Sequence, residues 1–118
     1  MNGGRDARSP WPARPVGWSC SDAGPGTPTT VRVRRDGIHW DLDLSEGIDF
    51  AIFLLGGLEL RTLRLYRRLV QPGDTVLDVG ANIGAHALPL ARLVGASGRV
   101  VAFEPTQFAF CKLQRNLE

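Results

Sequence analysis

Apolar and polar residues alternate over two short runs near the middle of the chain. Val31 and Val33 alternate with Arg32 and Arg34, and Ile38, Trp40, Leu42 and Leu44 alternate with His39, Asp41 and Asp43. A period of two marks a half-buried strand, and Asp36-Gly37 between the runs is the strongest short hairpin signal. A two-residue turn sets the register: Val33 opposite Trp40, Val31 opposite Leu42, Arg32 opposite Asp41 and Arg34 opposite His39. Apolar pairs then share one face and complementary polar pairs the other, each pair worth roughly 0.2–1 kcal/mol. His39, Asp41 and Asp43 fall on one face, as metal ligands would. The register already gives Asp41 an arginine, which favours a solvated strand face.

The period then changes. "SEGIDFAIFLLGG" predicts a short apolar helix with Ser45 as candidate N-cap, ending near Gly56 and Gly57. "LELRTLRLYRRLV" predicts a second helix with Leu63, Tyr66 and Leu69 or Val70 inward, stopped by Pro72-Gly73. Arg61, Arg64, Arg67 and Arg68 recur at helical spacing and read as its wet face rather than as a phosphate-binding stripe. Val76, Leu77 and Val79 then predict a strand buried on both faces, with Asp78 in its middle.

After that strand, "GANIGAHALPLARLVG" turns into a helix whose apolar face is Ala87, Leu90, Ala91 and Val94, with Gly95 past its end. Pro89 conflicts with a helix interior, so the helix either starts late or kinks there. A second buried strand is expected from about Arg99 to Phe103, then Glu104-Pro105, then a helix with Phe110, Leu113 and Leu117 as its apolar stripe.

Strand, glycine-bearing turn, helix, strand, acid and helix make a βαβ unit with a right-handed crossover and a ligand site at the carboxyl ends of its strands. Gly80 suits a tight turn and a close backbone approach, and Gly84 suits close packing of helix on strand. Glu104, 20 positions after Gly84, stands where an acid reaches the two hydroxyls of a ribose; it also reads as a helix-flanking acid. Asp78 either holds its own loop through the loop amides or attracts a cationic ligand group. A carboxylate beside a phosphate-cradling loop would repel the anion. S-adenosylmethionine has an ammonium, a sulfonium and an adenosine but no phosphate, so it fits both acids. "GANIG" is G-x-x-x-G, not the dinucleotide spacing G-x-G-x-x-G, which ranks a nicotinamide-binding half-domain lower.

Composition sets limits. The chain has 118 residues, 43% hydrophobic and 22% charged, with a formal charge of +2. That is ordinary for a globular domain and too little charge to argue for nucleic acid. The longest apolar stretch, "FAIFLLGGLEL", is too short for a bilayer, so no membrane partner is expected. Cys20 and Cys111 lie far apart without metal spacing. No disulfide framework is expected, and a cytoplasmic location is the default. Residues 1–28, rich in Gly, Pro, Arg and Ser, read as a disordered tail in which Trp11 and Trp18 are the candidates for docking.

"GDTVLDVGANIGAHALPLARLVG" followed by "GRVVAFEPTQFAFCKLQRNL" resembles the FkbM family of S-adenosylmethionine-dependent methyltransferases, and the likeness extends upstream through "LDLSEGIDFAIFLLGGLE". The resemblance implies an α/β class I methyltransferase fold, Rossmann-like, and O-methylation of a hydroxyl on a sugar or natural product. It implies that Asp78, Gly80, Asn82 and Gly84 form the cofactor loop and that Glu104 binds the ribose. It also matches Glu59 to an acid facing the methionine end of the cofactor. His86 reads either as a pocket residue or as packing on its neighbours. The expected organisation is a tail over 1–28, a β-hairpin with helices over 29–73, and the first half of the S-adenosylmethionine-binding domain over 74–118. The family domain is longer, so the chain reads as truncated after the second parallel strand and its helix. No residue stands out as a general base. The acceptor would be a small molecule or glycan. The alternative is a non-catalytic fragment or interaction module, self-associating through exposed apolar surface.

Overall fold

Eight elements follow one another in the computed structural model, which describes Cys20 and residues 28–118. They are β1 (Thr30–Arg35), β2 (Ile38–Asp43), α1 (Gly47–Leu55), α2 (Leu60–Leu69), β3 (Thr75–Val79), α3 (Ala87–Val94), β4 (Arg99–Phe103) and α4 (Gln107–Asn116). The fold is α/β: an antiparallel hairpin, two helices, then a parallel β-α-β-α unit. The expectations for the tail, Trp11 and Trp18 fall almost entirely outside the described residues.

The hairpin takes the register that alternation requires, with Val33 opposite Trp40, Val31 opposite Leu42, Arg32 opposite Asp41 and Arg34 opposite His39. Its turn places Asp36 and Gly37 at φ 47° and 74°, the pair of positive values a two-residue hairpin turn needs. Arg32 reaches Asp41 at 3.4 Å. Asp43 Oδ1 accepts the hydroxyls of Thr29 and Ser45, each at 2.6 Å. Ser45 is therefore turned back towards the strand and does not cap α1, whose N-cap residue is Glu46, without a side-chain bond. These acids are engaged in turn and ion-pair chemistry, and among the described residues no His/Cys/Asp/Glu group is arranged for a metal.

Helix α3 begins at Ala87, so Pro89 lies in its first turn, where a missing N–H costs little. Ala87, Leu90, Ala91 and Val94 are all buried. On α2, Leu63 is buried and Val70 follows the helix on the inner side, while Leu69 points to solvent.

The parallel sheet departs from expectation. Val76 faces Val100 and Asp78 faces Ala102 on the side covered by α3, but Leu77, Val79 and Phe103 are 65%, 81% and 51% exposed. Both strands are buried on one face only, because α3 packs on one side and α4 turns away to pack on β2. For the same reason the stripe of α4 is covered: Leu113 is buried and Leu117 touches both cores.

One core is built on the hairpin (Ile38, Trp40, Leu42 with Ile52), and it also takes Ile83, Ala85 and Leu88. The other joins α3 to β4 and Leu113, and it takes Ala81. The glycine loop therefore runs along the seam between the two cores. Two polar contacts sew that seam. Asn116 Oδ1 accepts the amide of Asp41 (2.7 Å), while its Nδ2 donates to the carbonyl of Ile83 (3.0 Å). Lys112 donates to Asp49 Oδ2 at 2.5 Å, with both residues buried, and the same oxygen accepts the amide of Asp43 at 2.7 Å. Cys20 and Cys111 form a disulfide across 91 positions. This corrects the expectation of no disulfide: distance along the chain says nothing about proximity once the fold brings Cys111 of α4 beside Cys20.

Candidate functional site

The loop after β3 is shaped by three left-handed positions, Gly80 (φ 85°), Asn82 (φ 50°) and Gly84 (φ 96°). Glycine adopts this region freely and asparagine better than most side chains. A Cβ on Gly80 would meet nothing within 4 Å, so its side of the loop is open to a ligand. A Cβ on Gly84 would lie 2.8 Å from Leu113 and 3.0 Å from Leu88. Gly84 thus lets the loop seat on α4 and α3, rather than setting the helix-to-strand spacing that the sequence suggested. Ala81 and Ile83 are buried on either side of Asn82, which anchors the turn through packing.

The loop amides point to β4, not to Asp78. Gly80 and Ala81 both donate to the carbonyl of Phe103, at 2.8 and 2.9 Å. Asn82 donates its amide to Glu104 Oε2 at 2.9 Å, and Glu104 Oε1 accepts the amide and hydroxyl of Thr106 at 2.8 and 2.6 Å. Burial pushes the Glu104 carboxyl up, but these three donors together outweigh it and hold the group below its ordinary value. Glu104 therefore holds the turn, a task the sequence reading had offered to Asp78.

Asp78 lies on the covered face of β3. It accepts the amide of Ala87 at the start of α3, and its Oδ2 is buried without a partner. Burial is the main cause that raises its pKa, opposed by His86 and by the Ala87 bond. A buried carboxylate oxygen with no donor is costly unless a ligand or water meets it.

Three further residues gather here. Tyr66 Oη lies 3.3 Å from His86 Nδ1, with the two rings edge-on at 5.8 Å. His86 Nε2 lies 3.8 Å from Glu59 Oε2. Burial, then the charges of Asp78 and Glu59, push the Tyr66 hydroxyl up. Glu59 sits at φ 51°, a left-handed conformation that is strained for glutamate and recurs at functional sites. His86 is thus packed on its neighbours and belongs to an acidic cluster at once. The sequence reading had given Tyr66 only a core position; its i, i+3 spacing from Leu63 signalled packing, and nothing in the pattern showed that its hydroxyl would meet His86.

Asp78 and Glu104 thus stand at the carboxyl ends of adjacent parallel strands, on either side of the loop. No family model matches the chain. A stretch of 60 residues, 51% of the chain, is 37% identical to the "Probable cobalt-precorrin-6B C(15)-methyltransferase (decarboxylating)" of Saccharolobus solfataricus and covers 30% of that protein. The fold matches the crystal structure of "putative transferase PH0793" from Pyrococcus horikoshii with a TM-score of 0.55 at 22% identity, over 78% of this chain and 32% of that one. The chain spans about a third of the length of these two proteins. It shares part of an α/β fold with that structure, and about half of it has a distant similarity to a methyltransferase.

Proposed function

We propose that the chain is the cofactor-binding portion of an S-adenosylmethionine-dependent methyltransferase of the FkbM type, acting on a hydroxyl of a sugar or other small molecule. The observation that carries this reading is the placement of two carboxylates of opposite character around one glycine loop. Glu104 is held ionised by donors and suits the neutral hydroxyls of a ribose. Asp78 has a buried oxygen without a donor, and Glu59 lies across the same cluster. Together they favour a cationic group at that end. Bound there, S-adenosylmethionine supplies an electrophilic methyl group. The chain's own part is to orient the nucleoside through Glu104, to hold the loop backbone open at Gly80, and to balance the ligand's positive charge with Asp78.

A pyrophosphate is disfavoured at the same place, since the loop amides of Gly80, Ala81 and Asn82 already donate within the protein. Calorimetric titration with S-adenosylhomocysteine beside a thermal melt tests the proposal. Saturable binding with a raised melting temperature is expected. Binding of NADH in preference to S-adenosylhomocysteine would sink it. The exposed face of Leu77, Val79 and Phe103, with Phe108 nearby in sequence and 64% exposed, also favours self-association of the isolated chain. Sedimentation showing a monomer at all concentrations would reject that part.

A further inference from the structure

Helix α1 carries its polarity inside out. Its one charged residue, Asp49, is buried against Lys112, while Phe50, Leu54 and Leu55 face solvent, exposed by 47%, 65% and 58%. A helix on a globular surface ordinarily does the reverse, with its polar residues outward. Helix α2 follows after residues 56–59. A Cβ on Gly57 would lie 2.6 Å from Leu63 Cδ1, so this connection packs on α2. The outer face of α2 is mixed. Arg61, Arg64 and Arg68 recur at i, i+3 and i+7 and are exposed, with Leu65 and Leu69, also exposed, beside them at i and i+4. The helix contains no acid. Arg67 is paired with Asp36, but among the described residues Arg61, Arg64 and Arg68 form no ion pair. The acids that border the two helices are Glu46 and Glu59, each at an N-cap, and Glu59 lies towards His86.

We propose that α1 and α2 seat the chain on the surface of an anionic lipid bilayer. The apolar face of α1 enters the boundary between headgroups and acyl chains, and the arginines of α2 meet the lipid phosphates. The charges choose this occupant. A second copy of the chain would set the same arginines against one another without acids to meet them, and a neutral apolar partner would leave them unused. Leucines and the aliphatic stems of arginines share such a boundary, with the guanidiniums reaching the headgroups. No helix among the described residues is long and apolar enough to cross a membrane, but a helix lying in the interface has no span to cover.

The test is cosedimentation of the full chain with vesicles of equal parts phosphatidylglycerol and phosphatidylcholine, beside vesicles of phosphatidylcholine alone. Saturable binding to the anionic vesicles is expected, weakening as salt is raised. Each arginine at an anionic surface contributes about fivefold, so combining Arg61→Gln, Arg64→Gln and Arg68→Gln should cut the affinity roughly a hundredfold. Leu54→Gln with Leu55→Gln should cut it about tenfold or more. All five side chains are exposed, so both variants keep the fold, and matched thermal melts check this. None of these readouts involves the cofactor. No binding to anionic vesicles, equal binding to both kinds, or unchanged binding in either variant overturns the proposal. So does a dimer in sedimentation that the leucine variant abolishes while vesicles are not bound, which would give this face to a second copy.

Discussion

Glu104 Oε2 accepts the backbone N–H of Asn82 at 2.9 Å, so the acid that ends one parallel strand clasps the loop that ends the other. The same carboxylate is the candidate for the ribose. Glu104→Ala should therefore do two things. Affinity for S-adenosylhomocysteine should fall by about 1.5–3 kcal/mol, the scale of a lost charged hydrogen bond. Hydrogen exchange at the Asn82 amide should quicken. Unchanged affinity by calorimetry would remove Glu104 from the site.

Acidification separates the two carboxylates. Burial raises the Asp78 pKa, whereas the donors around Glu104 lower its own. As pH falls, Asp78 takes its proton at a higher pH than an ordinary aspartate and loses the charge that meets the cofactor's cation. Cofactor affinity should then decline through the raised pKa of Asp78, and Asp78→Asn should flatten that limb. The stability terms have opposite signs. The Asp78 contribution is full below its unfolded pKa and is lost as pH rises through the folded one; the Glu104 contribution is present above its unfolded pKa and is lost as pH falls through the folded one. Titration by calorimetry at several pH values checks the binding limb, and a pH-invariant affinity would reject it.

The two loop glycines should respond unequally to alanine. Gly80→Ala meets open space and carries only left-handed strain, about 1–2 kcal/mol. Gly84→Ala adds overlap with Leu113 and Leu88 and should cost roughly 2–4 kcal/mol. Thermal melts of the pair would show equal losses if Gly84 had no packing role.

Lys112→Met leaves the Asp49 carboxylate buried beside the Asp43 amide without its cation. A loss of about 3–5 kcal/mol is expected. Denaturant midpoints measure it, and a loss no larger than that of an exposed ion pair would contradict the buried assignment.

The Cys20–Cys111 disulfide closes a loop across 91 positions. In the chain-entropy picture its reduction removes about 4–5 kcal/mol. Melts with and without a thiol reductant test this, and alkylation of both cysteines before reduction would show that the bond does not form.

Local chemistry was enough to predict much of this protein. Alternation with Asp36-Gly37 settles the hairpin and its register, because a two-residue turn leaves no freedom in pairing. The βαβ order, the loop glycines and the strand-end positions of Asp78 and Glu104 follow from short-range pattern, since each is written within a few residues. What the pattern left open depends on which segments meet. Only the packing of α4 on the hairpin, rather than across the sheet, decides that Leu77 and Val79 are exposed, that Leu113 and Leu117 are covered, and that Cys111 meets Cys20. The ion pair of Lys112 with Asp49, the Asn116 bridge to Ile83 and the contact of Tyr66 with His86 have the same origin. Each joins residues at least 20 positions apart. A polar side chain reads alike in sequence whether it faces water or a distant partner, so only the tertiary fold tells these cases apart.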